Sequence, residues 1–243
     1  MKLICSAVAL SLNLFVAVAQ SAGEQSKQAL KIEADPQAGT QPHELRYLLG
    51  LPADYEKKAD SRWPLVLFLH GSGERGDDLE KVKIHGPPKL LAAGKDLSAV
   101  VVSPQCPTGT RWNADELAKL VDHVANTYRV DRQRLYVTGL SMGGAGTWSL
   151  ITAYPDKFAA AIPICGRGDE AAAPKLAKLP IRVFVGGKDS ERTVINCQEM
   201  TAALKKAGGD AELKLYPDLE HDCWTVTYDN PEVWKWLLAQ KRP

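Results

Sequence analysis

Two kinds of apolar pattern alternate along the chain. WPLVLFLHG (63–71), SAVVVSP (98–104), RLYVTG (134–139), AAAIPICG (159–166) and IRVFVGG (181–187) are short, nearly continuous apolar runs bounded by glycine or proline. Such runs predict strands buried on both faces, and AELKLYP (211–217) joins them as a further strand. Between them the period changes. ADELAKLVDHVANTYR (114–129) places Leu117, Leu120, Val121 and Val124 at helical spacing. GAGTWSLITAYPDKF (144–158) predicts a helix stopped near Pro155, CQEMTAALKKAGG (197–209) a helix ending on glycine, and PEVWKWLLAQK (231–241) a helix with proline in its first turn. HELRYLLGLP (43–52) alternates loosely and suits an edge strand or hairpin arm.

Buried strands alternating with helices imply crossover connections. The expected architecture is α/β, a mostly parallel central sheet with helices on both faces. No internal repeat or low-complexity linker interrupts it, so residues 43–243 read as a single domain. Residues 20–42 are small and polar and read as a loose N-terminus of the mature chain, with one short strand near Ala29–Glu33. Ahead of them, Lys2 precedes an apolar run from Leu3 to about Ala19 that ends in Ala17-Val18-Ala19. That is the layout of a signal peptide (1–19), which implies a secreted or periplasmic protein. The rival reading, a membrane anchor, needs about 20 apolar residues, and this run is shorter. No second long apolar run occurs, so stable membrane insertion is not expected after cleavage.

The formal net charge is +1, with no basic stripe, which sets nucleic acid aside as a partner. Removing Cys5 with the leader leaves Cys106, Cys165, Cys197 and Cys223. In an exported chain these permit two disulfides in three connectivities; four free, partly buried thiols are the other reading. No C-x-x-C pair occurs, so neither a zinc site nor a redox motif is expected.

In such sheets ligands bind beyond the carboxyl ends of the strands, so chemistry is sought there. RLYVT runs into Gly139-Leu140-Ser141-Met142-Gly143, a G-x-S-x-G pentapeptide between a strand and a helix. This turn exposes a serine hydroxyl at the top of the sheet. A serine nucleophile needs a base. Of five histidines, His43 precedes an edge strand, His123 lies in a helix, His85 sits in KIHGPPKLL away from any strand end, and His70 ends a strand before the serine. His221, in YPDLEHDCW after the last strand, can fold back toward Ser141. The acid that orients it is Asp189, directly after IRVFVGG, with Asp218 a distant second. Oxyanion donors are expected from the Met142 N–H and from Gly71-Ser72-Gly73.

FLHGSGERG, SPQCP, VTGLSMGGAGTW, PICG, GGKD and YPDLEHDCW together resemble the α/β-hydrolases of the small esterase, feruloyl-esterase and dienelactone-hydrolase-like branch. The resemblance covers about residues 43–240. It implies the α/β-hydrolase fold, a Ser141–Asp189–His221 triad, an oxyanion region at Gly71–Gly73 and Met142, and no metal or organic cofactor.

Only CGRGDEAAAPKLAKLP separates AAAIPI from IRVFVGG, room for a short helix but not a large lid. Large or polymer-attached esters could therefore reach the serine. Trp112 and Trp224 are candidate substrate-binding residues, with packing as the equal alternative. Arg75 either pairs with Glu74 or meets a substrate carboxylate. The expected function is a secreted serine esterase. The alternatives are a prolyl-oligopeptidase-like serine peptidase and a catalytically silent binding protein on the same fold.

Overall fold

The computed structural model describes residues 24–34 and 41–243. The expected signal peptide and Cys5 lie outside these residues. Eight strands form one sheet in the order β1-β2-β4-β3-β5-β6-β7-β8. They are β1 (Gln25–Ile32), β2 (His43–Gly50), β3 (Trp63–Leu69), β4 (Val100–Pro104), β5 (Val130–Leu140), β6 (Ala160–Ile164), β7 (Ile181–Gly186) and β8 (Ala211–Tyr216). β1 and β2 run antiparallel at one edge, and β2 pairs antiparallel with β4; the remaining pairs are parallel.

The segment expected to be loose apart from one short strand near Ala29–Glu33 thus contributes an eight-residue strand, starting four residues earlier, that pairs along its whole length with β2. Its burial alternates along QSKQALKI with a mostly polar outer face, so no apolar run announces it. By contrast β4 and β6 are buried at every position, and β3 at every position after Trp63, as the apolar runs require.

Helices α1 (Gly86–Ala92), α2 (Ala114–Thr127), α3 (Met142–Ala153), α4 (Ala173–Leu176), α5 (Glu191–Lys206), α6 (Trp224–Asp229) and α7 (Pro231–Ala239) flank the sheet. α2 starts where the Asn113 side chain accepts from the backbone N–H groups of Asp115 and Glu116, satisfying two orphan donors of the first turn. It buries Leu117, Leu120, Val121 and Val124, the four positions read from its spacing. α6, beside His221, has no amphipathic period long enough to be read in sequence. Between β6 and β7 lie a 3-10 turn and the four-residue α4, and no larger insertion.

Two features at the carboxyl end of the sheet hold its loops in place. α3 starts hard against the end of β3: a Cβ on Gly143 would lie 1.9 Å from the Leu69 carbonyl oxygen and 2.7 Å from that of His70. Next, His70 is fully buried at the end of β3. Its Nδ1–H donates to the Gly71 carbonyl at 2.6 Å, and its Nε2 accepts from the Cys106 N–H at 3.0 Å. The ring therefore ties the loop after β3 to the loop after β4. Burial disfavours the imidazolium and pushes the His70 pKa down to about 4.

Replacing Gly143 by Ala forces backbone apart, so Gly143→Ala is expected to lose about 3 kcal/mol of stability in urea unfolding. His70 is neutral when folded but takes up a proton near pH 6.5 when unfolded. Its contribution is complete above that pH and is lost as pH falls toward 4. Wild type is expected to lose about 2 kcal/mol between pH 7.5 and pH 5, and His70→Gln to flatten that slope.

Candidate active site

Ser141 joins β5 to α3 in a conformation that side chains rarely adopt, φ +54° and ψ −115°. A residue there costs of order 1–3 kcal/mol and persists only where its surroundings over-determine it. Here they do. The Ser141 N–H donates to the Ile164 carbonyl at 2.9 Å, and the Ser141 carbonyl accepts the first helical bond from Ala145 at 3.0 Å. The hydroxyl is left facing a cleft of about 450 Å³ lined also by Ser72, Arg75, Met142, Arg167 and His221.

Ser141 Oγ lies 2.8 Å from His221 Nε2, and His221 Nδ1 lies 2.7 Å from Asp189 Oδ2. The Asp189 side chain is 5% exposed and that of His221 46%. The carboxylate is hidden behind the imidazole, and the imidazole opens to the cleft. The second Asp189 oxygen accepts from the Ser190 N–H at 2.6 Å, which fixes the carboxylate in the turn after β7. The loop carrying His221 is stitched to that turn: the Lys188 N–H donates to the Leu219 carbonyl at 2.9 Å. A Cβ on Gly186 would lie 1.9 Å from the Glu220 carbonyl oxygen, so only glycine lets the two backbones approach. Asp218 points elsewhere, 3.8 Å from Lys188 Nζ.

Of the expected oxyanion residues, Ser72 and Met142 line the cleft with Ser141. The Met142 N–H is in the first turn of α3, where no intrahelical acceptor exists and negative charge is favoured. Gly71 is buried beneath them, its Cβ position 3.6 Å from Ser141 Cβ. Gly73 is exposed, with nothing near its Cβ position, and does not line the cleft.

Trp224 stands edge-on to His221, ring centres 5.4 Å apart, and its Nε1–H donates to His85 Nδ1 at 3.3 Å. It walls the base. Trp112 is placed differently. Its Nε1–H donates to the His70 carbonyl at 3.2 Å and its indole packs on Gly146, so it props the loop after β3 and lines an adjoining hollow, not the Ser141 cleft. Glu74 and Arg75 do not pair. The half-buried Arg75 donates to the Ser72 and Thr110 carbonyls. Buried Glu74 instead faces His70 at 3.9 Å and His85 at 3.8 Å, a grouping that sequence reasoning missed because the segment after β3 supplies His70 and Glu74 while His85 comes from the separate segment before α1.

Cys106, Cys165, Cys197 and Cys223 are all buried and free. Cys165 Sγ, an Asp189 oxygen and a His221 ring nitrogen lie within 4.8 Å of one another, the one such grouping among the described residues. Burial, and next the neighbouring Cys223, push the Cys165 thiol well up, against the thiolate that a metal requires. The carboxylate and imidazole are already bonded to each other, so the grouping suits proton transfer rather than metal binding.

Known proteins share parts of this chain. A poly(3-hydroxyalkanoate) depolymerase C from Paucimonas lemoignei is 30% identical over 145 residues, 53% of this chain and 33% of the relative. A bifunctional acetylxylan esterase/xylanase from Neocallimastix patriciarum is 28% identical over 153 residues, 58% of this chain and 21% of the relative. The chain thus spans a third or less of these curated relatives. Among solved structures, one described as a thermostable esterase superposes with a TM-score of 0.75 at 31% identity, covering 89% of this chain and 63% of the other. The sheet order, the helices and this likeness make the fold an α/β-hydrolase. The profile of the dienelactone hydrolase family matches residues 105–230, just over half of the chain and the part that carries Ser141, Asp189 and His221; the protein belongs to the dienelactone hydrolase family.

Proposed function

We propose that the protein is an exported serine hydrolase that cleaves carboxylic esters through an acyl-enzyme. The observation that carries this reading is the unbroken chain from Asp189 through His221 to a strained, cleft-facing Ser141. In the reaction His221 Nε2 takes the Ser141 proton as Oγ attacks the ester carbonyl. Asp189 holds the ring with Nδ1–H toward the carboxylate and stabilises the imidazolium. The Met142 N–H, and backbone N–H at Ser72, receive the charge that develops on the carbonyl oxygen. His221 then protonates the leaving alcohol. Water, deprotonated by the same nitrogen, attacks the acyl carbonyl and releases the acid and Ser141.

Esters are favoured over peptides because nothing between β6 and β7 closes over the serine, and an amine leaving group makes a harder demand on the same acid. The names of the relatives and of the similar solved structure, depolymerase and esterase, point the same way. The proposal of export rests on the Leu3–Ala19 pattern, the layout of a signal peptide.

The test is turnover of p-nitrophenyl acetate and butyrate beside a chromogenic peptide amide. Wild type is expected to cleave the esters, with Ser141→Ala lowering kcat by at least about 10³-fold; amide turnover exceeding ester turnover would overturn the reading. Asp189→Asn leaves the hydroxyl in place but turns the ring into the wrong tautomer. Its kcat is expected to fall by about 10³–10⁴-fold with KM within about threefold of wild type.

A further inference from the structure

The arginines are distributed unevenly in what they do. The chain has eleven. Arg46, Arg62, Arg75, Arg129, Arg132, Arg134, Arg182 and Arg242 each bind a backbone carbonyl or an acidic or amide side chain. Arg111, Arg167 and Arg192 are exposed and have no hydrogen-bond or ion-pair partner within the described residues. All three lie together. Arg111 and Arg167 border the Ser141 cleft, and both continue into an adjoining hollow of about 600 Å³ that Arg192 also lines. On the other side Thr110 and Arg111 join the cleft to the hollow that holds Trp112.

We propose that the ester cleaved here is carried on an acidic polymer chain, a polyuronate-like strand whose carboxylates lie against Arg111, Arg167 and Arg192. This rests on the ester-hydrolase reading above. The cations lining the cleft and the 600 Å³ hollow are all arginine, with no lysine among them. A guanidinium presents a planar fork that matches carboxylate bidentately, where an ammonium is a hydrated point charge. One carboxylate needs one such fork. Three forks spread over two joined hollows suit a series of carboxylates repeated along a strand. Glu191 and Glu199 line the same hollow and moderate its field. A strand with one charge per unit fits that balance better than a dense polyphosphate, and so does a net charge of +1. The short β6–β7 connection leaves the path across Ser141 open to a chain passing from one hollow to the next.

The experiment compares acetate release by the full chain from acetylated polygalacturonate and from acetylated xylan of equal acetyl content. Wild type is expected to favour the acidic polymer by about tenfold at low salt, and the preference is expected to collapse in about 0.5 M NaCl, where exposed charges are screened. Arg111→Gln/Arg167→Gln/Arg192→Gln is expected to lower the ratio of the two rates to near one, and Arg192→Gln alone to lower it about threefold. Circular dichroism checks that each variant is folded. A preference that is absent, indifferent to salt, or retained in the triple variant overturns the proposal. So does a preference for p-nitrophenyl hemisuccinate over p-nitrophenyl butyrate without any for the polymer, which would assign the arginines to a small acid. Retardation of Ser141→Ala in gels containing polygalacturonate, lost in the triple variant, reads the binding without turnover. Retardation with no ester cleavage by wild type would therefore fault the ester-hydrolase reading and leave the anion site standing; no retardation faults the site.

Discussion

The site depends on one close approach, the first turn of α3 against the carboxyl end of β3. At Gly143 there is no room for a Cβ beside the Leu69 carbonyl. That contact sets how near the loop after β3 comes to Ser141, and hence how near the Ser72 backbone stands to the Met142 N–H across the cleft. Directly before this contact Ser141 takes its positive φ. The strain is met by the central sheet, whose neighbouring strand accepts the Ser141 N–H. Buried strands β3, β5 and β6 form the part of the molecule least able to yield, which is where a stored distortion can persist.

His221 and Asp189 are assembled separately and then joined. The turn after β7 fixes Asp189, the loop after β8 carries His221, and the Lys188-to-Leu219 hydrogen bond with the Gly186 contact locks one to the other. The pair therefore stands independently of the serine turn. Trp224, held by His85, packs edge-on against the imidazole, while the cleft side stays open. Beneath the loop after β3, neutral His70 performs a structural task with the same side chain to which the proposed mechanism gives a chemical one at position 221. Burial separates the two: His70 is sealed between Gly71 and Cys106, and His221 is half exposed.

The strand ends are legible in the sequence because a buried parallel strand is a continuous apolar run, and the residues just beyond it must turn at the top of the sheet. Ser141, Asp189 and His221 each sit immediately after or shortly beyond such a run, and the structure brings them within hydrogen-bonding reach. Legibility ends where partners come from different loops. Glu74 and Arg75 are neighbours in sequence, yet their side chains diverge to His70 and His85 on one side and to backbone carbonyls on the other. Nothing around Trp112 in the sequence signals that Gly146 leaves a slot for its indole. β1 is legible only in its second half because an edge strand needs apolar residues on one face only, and its polar first half resembles a loose tail. The four cysteines show that an even count does not make bridges: each is buried as a free thiol.

The most direct test of Ser141 as the activated nucleophile is covalent labelling of the native protein with a fluorophosphonate, then peptide mass spectrometry. A single adduct on the peptide containing Ser141 is expected, with labelling slowed by at least about 100-fold in His221→Ala, which removes the base but leaves the turn intact. A folded protein that stays unlabelled, or one that labels equally fast without His221, would contradict it.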